Sequence, residues 1–113
     1  MSAELVIASS RGSITISRDV VAELVAETAE RCYGVVGLAP GSRIDKLLRR
    51  DGVTIGGDAE GVEIALNVVV EYGLNLAEVA GTVRSQVSYE VERLTGLPVA
   101  SVEVVVQSVR QSA

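Results

Sequence analysis

Gly61-Val62-Glu63-Ile64-Ala65-Leu66-Asn67-Val68-Val69-Val70-Glu71-Tyr72-Gly73 is the stretch that decides the fold. Val62, Ile64, Leu66, Val68, Val70 and Tyr72 fall on one side of an extended chain, with Glu63, Ala65, Asn67 and Glu71 on the other. That is the period-two pattern of a strand with one face in a core and one face half wet. Immediately upstream, Gly52-Val53-Thr54-Ile55-Gly56 reads as a shorter strand, and Gly57-Asp58-Ala59-Glu60-Gly61 supplies the turn residues that make the two a hairpin. Downstream, Asn75-Leu76-Ala77-Glu78 has a capping side chain followed three residues later by a glutamate, the start signal of a helix. Leu76, Val79, Ala80, Val83, Val87, Val91 and Leu94 then recur at helical spacing until Gly96 and Pro98 stop it. A last strand follows from Val99 to Val109. A helical return between two strands of one sheet is a right-handed crossover, so the last strand runs parallel to the decisive one.

The N-terminal half supplies a second helix. Gly12-Ser13-Ile14-Thr15-Ile16 predicts a first strand, Ser17 offers an N-cap hydroxyl, and Asp19 places a negative charge in the first turn. Val21, Leu24, Val25, Thr28 and Cys32 make the apolar stripe, and Gly34 ends the helix. Residues 34–42 read as a loop, and Arg43 to Arg50 as a short amphipathic helix with Ile44, Leu47 and Leu48 on one face. The expected fold is α+β: a two-layer sandwich in β-α-β-β-α-β order. It has a mixed sheet of three to four strands and two long helices on one face, in a single domain over residues 1–113.

The chain of 113 residues is 48% hydrophobic, with three tyrosines but no histidine, tryptophan or phenylalanine. Imidazole acid–base catalysis, histidine-dependent triads and histidine-ligated metals are therefore excluded. The net charge of −5 disfavours bulk binding to phosphate backbones. The single cysteine, Cys32, makes no internal disulfide and reads as a small buried hydrophobe. The N-terminus lacks the basic region of a secretion signal and no apolar run is long enough to span a bilayer, so a cytoplasmic location is expected.

Few side chains suggest chemistry. Asp58 and Glu60 share a glycine turn, and Glu63, Glu71 and Glu103 lie on wet strand faces, so solvated charges are a better reading than an acid–base pair or a calcium loop. Gly34-Val35-Val36-Gly37 resembles the Gly-x-x-Gly backbone clamp of KH-type RNA-binding domains, but its middle residues are both valine rather than basic. Two candidate interaction features remain. Arg43, Lys46, Arg49 and Arg50 outweigh Asp45 to give a local charge of +3 against −8 in the rest of the chain. Such a segment suits an anionic surface or an acidic partner, or is simply solvated. Val69, Val105 and Val109 are apolar where strict alternation puts polar residues, which suits a subunit contact on the sheet's second face. The N-terminal segment Glu4 to Ala8 is the competing cover for that face.

Three stretches carry a family resemblance. The first runs from Gly12-Ser13-Ile14-Thr15-Ile16-Ser17-Arg18-Asp19-Val20-Val21 to Tyr33-Gly34-Val35-Val36-Gly37. The second joins Gly52-Val53-Thr54-Ile55 to Glu71-Tyr72-Gly73-Leu74-Asn75. The third runs through Val83-Arg84-Ser85-Gln86-Val87 to Thr95-Gly96-Leu97-Pro98-Val99 and the valine-rich last strand. In order and spacing they resemble the alkaline shock protein twenty-three family, also called the Gls-twenty-four family, of bacterial envelope stress proteins. The resemblance implies a non-catalytic cytoplasmic protein without cofactors, found mainly in Gram-positive bacteria and concerned with cell-envelope homeostasis. It also implies self-association as a homo-oligomer, and a place beneath the membrane through a membrane-anchored protein partner rather than by direct insertion. The alternative, from the residues themselves, is a KH-like nucleic-acid-binding module.

Overall fold

The structure, a computed structural model, describes residues 4–40, residues 49–50 by their backbone, and residues 52–111. Two strands, β1 (Glu4–Ser9) and β2 (Gly12–Ser17), form an antiparallel hairpin of their own. Helix α1 (Arg18–Glu30) follows directly, with the Ser17 hydroxyl accepting from the Asp19 N–H at 3.1 Å as its N-cap. Then come β3 (Val35–Leu38), β4 (Arg49–Arg50), β5 (Val53–Asp58) and β6 (Gly61–Glu71). Helix α2 (Leu76–Thr95) and β7 (Val99–Arg110) complete the chain.

The decisive stretch is the middle of the main sheet. Along one side of β6 lies β7, parallel, from Val62 to Glu71. The other side is shared end to end by β5, antiparallel along Gly61 to Leu66, and β3, antiparallel along Val68 to Val70. Asn67 marks the junction: its N–H donates to the Gly52 carbonyl at 2.8 Å and its own carbonyl accepts from the Ala39 N–H at 3.1 Å. β4 extends the sheet beyond β5. The α+β class, the hairpin, the two helices on one face and the parallel return all stand as the sequence suggests.

The core lies between this sheet and the helices. Val62, Ile64, Leu66, Val68 and Val70 of β6 meet Val21, Val25 and Ala29 of α1 and Val79, Val83, Val87 and Val91 of α2, all buried. Burying one valine side chain contributes roughly 1.5 kcal/mol or more, so a core with no aromatic ring is sufficient when the residues are this many. On α1, Ala22, Ala26 and Ala29 do more than favour the helix: all three are buried, and they thin the face set against the sheet. Helix α2 is held at both ends. Asn75 Oδ1 accepts from the Glu78 N–H at 3.0 Å, and Gly96, with φ of 76°, closes it in the left-handed conformation that glycine adopts without strain. The Val99 N–H then donates to Glu92 Oε2 at 2.9 Å, which fixes where β7 starts.

Five expectations need correction. The main sheet has five strands rather than three to four, because β3 and β4 join it, and the expected first strand lies outside it in the β1–β2 hairpin. The short helix expected over Arg43–Arg50 ends instead in strand: Arg49 and Arg50 pair with Thr54 and Val53. Its earlier residues, Arg43 and Lys46 among them, lie outside the described residues. Part of the loop expected over 34–42 is β3, because Val35 and Leu38 gain ladder bonds and core contact beside β6. The N-terminal segment pairs with β2 rather than covering the bare sheet face, and its Leu5 is buried in the core. Tyr72 lies just past β6 and is 64% exposed, so it does not continue the core face of that strand.

Candidate interaction surface

Both helices lie on the same side of the main sheet, and the opposite face carries no layer of its own among the described residues. Thr54, Glu63, Ser101, Glu103 and Val105 stand exposed there, with Ala65 and Asn67 half-buried between them. The face is polar at its rim and mildly apolar along its middle.

The three candidate valines separate. Val69 is on this face but only 2% exposed and lies outside the main core cluster, between Gly37 of β3 and Ser108 of β7. Val105 is on the same face beside Asn67 and is 38% exposed. Val109 is on the other face. The register of β7 on β6 slips between Val106 opposite Val68 and Ser108 opposite Val69, so Gln107 is an extra residue. Beyond this β-bulge each side chain changes sides, and Val109 comes to stand beside Val70 on the helix side, 44% exposed. Strict alternation in the sequence places Val109 with Val105, because nothing in Val104-Val105-Val106 marks where an inserted residue falls.

Of the charged candidates, Arg49 and Arg50 occupy the far edge. β4, formed by Arg49 and Arg50, is on the β5 side of the sheet, opposite to β7. The Gly34–Gly37 segment is not a turn between two helices: Gly34 leads into β3, and its carbonyl accepts from the Glu71 N–H at 2.8 Å. A Cβ at Gly34 would come within 2.8 Å of Leu74 Cδ1, so the glycine there serves close packing as well as a φ of +90°.

Among the described residues no group of three or more Cys, Asp and Glu side chains is placed to hold a metal ion. Cys32 is half-buried; burial pushes its thiol pKa up, and the nearby Arg31 charge only partly offsets this, which is the reverse of nucleophile activation. The Glu90 carboxyl is held below its usual range by a two-pronged hydrogen bond from Arg93, at 3.1 Å to Oε1 and 3.0 Å to Oε2, on the surface of α2. Sequence reasoning named none of the tyrosines as an interaction candidate. Tyr33, Tyr72 and Tyr89 are 79%, 64% and 61% exposed, so every aromatic ring of the chain faces solvent.

The geometry defines a class: small two-layer α+β domains with one bare sheet face and one long open sheet edge. The chain belongs to the alkaline shock protein twenty-three family, described as having a cell envelope-related function, which matches residues 6–111. It is 36% identical over 107 aligned positions to the uncharacterized protein YloU of Bacillus subtilis (strain 168), covering 88% of this chain and 89% of that one. It is 32% identical to the uncharacterized protein Spy1614 of Streptococcus pyogenes serotype M6, with 88% of each chain covered. It is also 30% identical to a stress response regulator gls24 homolog of Streptococcus pyogenes serotype M3, of whose length it spans 60%. Among solved structures, the MamM CTD in a zinc form superposes with a TM-score of 0.50 at 17% identity, over 83% of this chain and 85% of that one; the likeness is one of fold alone.

Proposed function

We propose that the chain is a non-catalytic scaffold of the bacterial cell envelope that associates with copies of itself and docks on a membrane-anchored protein at the inner face of the membrane. The observation that carries this reading is the one-sided sheet: α1 and α2 cover one face, while the other face and the outer side of β7 have no partner among the described residues. A sheet left half-covered is a surface for another protein. The family's envelope-related description and the relative named as a stress response regulator homolog support a role in envelope stress.

Docking through a protein, rather than insertion, is favoured because no helix of the described residues is long and apolar enough to cross a membrane. Arg49 and Arg50, which form β4 at the sheet edge opposite to β7, give the docking side its charge. A flotation experiment tests this. The protein is expected to float with native membrane vesicles, to lose that association when vesicles are stripped with protease, and to stay behind with protein-free vesicles of anionic lipid. Equal flotation with protein-free vesicles would replace protein docking by direct lipid binding, and no flotation with any vesicle would remove the membrane from the account.

A further inference from the structure

Self-association, as proposed above, needs a surface, and the edge of β7 has the features of one. The Val62 N–H donates to the Pro98 carbonyl and the Tyr72 N–H to the Arg110 carbonyl, each at 2.9 Å, so the even-numbered residues of β6 bond toward β7. In a parallel ladder each such residue bonds to the two neighbours of its partner, and the partner's own N–H and C=O point away. The partners are Val102, Val104, Val106 and Val109. Their backbone groups therefore face outward along the edge, the arrangement that accepts an added strand. Beside the edge, Ala77, Ala80, Gly81 and Arg84 of α2 form a groove with Val102, Glu103 and Val104, about 520 Å³ in volume.

The occupant is written into the strand itself. Because Gln107 is inserted, Glu103, Val105, Ser108 and Arg110 share the bare face, whereas Val104 and Val109 share the helix face. Apart from the bulge residues Val106 and Gln107, the order of faces from Glu103 to Arg110 is thus the same read from either end, about a midpoint between those two. We infer that β7 pairs antiparallel with β7 of a second copy about a two-fold axis at that midpoint, joining two main sheets into one. Glu103 then stands opposite Arg110 of the second copy, Val104 opposite Val109, and Val105 opposite Ser108, each residue facing one on the same side. Val104 and Val109 both point their backbone groups outward and form the hydrogen-bonded pair. Glu103 and Arg110 both point theirs inward and form the non-bonded pair, in which side chains lie closest and opposite charges meet. Two-fold symmetry makes each contact twice. The register covers Val109 and Val105, which are 44% and 38% exposed in the single chain.

The test uses charge reversal on the full chain, read by sedimentation velocity. Glu103→Arg sets two arginines against each other across the axis, and Arg110→Glu sets two glutamates. Each variant alone is expected to associate roughly tenfold more weakly than wild type, or worse. An equimolar mixture restores both attractive pairs and is expected to associate at wild-type strength. Wild-type association that neither variant weakens, or weakening that the mixture does not rescue, overturns the β7 pairing while leaving a self-associating scaffold with another interface. A wild-type chain that stays monomeric at every concentration removes both readings. Hydrogen exchange on the wild type gives a second measurement: the Val104 and Val109 amides are expected to slow as concentration rises, and concentration-independent exchange at both contradicts the pairing.

Discussion

Val109 stands beside Val70 on the helix side of the sheet, although four residues earlier Val105 faces the other way beside Asn67. An unbroken strand would keep the two on one face. One extra residue, Gln107, therefore decides which side chains each face of the β7 edge presents. Deleting Gln107 is expected to move Val109 to the bare face and Arg110 to the helix side. Circular dichroism is expected to keep its helical signal, since the helices and the rest of the sheet do not depend on this residue. Sedimentation velocity is expected to show association weakened by roughly tenfold or more, in line with the loss of two charge pairs. Unchanged association would show that the phase of the strand beyond Val106 does not matter.

Arg18, only 3% exposed, donates from Nη2 to the Gly57 carbonyl at 2.9 Å and so ties the first turn of α1 to the β5–β6 hairpin. Arg18→Met keeps much of the stem's packing but leaves that carbonyl without this donor. A loss of about 1–3 kcal/mol in unfolding free energy is expected by urea denaturation. A loss below a few tenths of a kcal/mol would mean that water replaces the guanidinium.

Leu66 is fully buried at the centre of β6, opposite Val53 on one side and Val104 on the other. Leu66→Ala is expected to cost about 2–5 kcal/mol, because strands on both sides keep the hole from collapsing. Thermal or urea unfolding measures it, and a near-neutral result would mean that the sheet core is loosely packed.

Cys32 gives the pH dependence a direction. Burial raises its pKa in the folded chain above the unfolded value, so the unfolded chain ionises first as pH rises. Its contribution to stability is complete below the ordinary thiol range and is lost as pH climbs through the folded value. Melting between about pH 8 and 10 is expected to fall more steeply for wild type than for Cys32→Ala. Parallel curves would contradict a desolvated thiol.

The basic edge is separable from the β7 edge, since β4 and β7 lie at opposite sides of the sheet. Arg49→Glu together with Arg50→Glu is expected to reduce flotation with native membrane vesicles while leaving sedimentation unchanged. Loss of self-association in that variant would place the interface at the wrong edge. A filter-binding signal for RNA that wild type shows and the variant lacks would favour the nucleic-acid reading.

The parts of the fold legible in the sequence are those where period and burial agree. From Val62 to Val70 every second residue is buried, and the caps at Ser17, Asn75 and Gly96 use the side chains or backbone freedom that helix ends require. What escaped notice is set by pairing rather than by local pattern. β3 is four residues among glycines and a proline, and only the ladder with β6 makes it a strand. Arg49 and Arg50 follow a helical spacing of leucines yet pair with β5. The same holds for the candidate surface: the sequence singled out Val69, Val105 and Val109 together, but Val69 is enclosed and Gln107 sends Val109 to the other face.

The central claim is that this chain works by joining to copies of itself, and sedimentation velocity of the wild-type protein over a wide concentration range tests it most directly. The expected result is a boundary that moves from the 11.8 kDa single chain toward at least twice that mass as concentration rises. A boundary that stays at the single-chain mass up to hundreds of micromolar would contradict it.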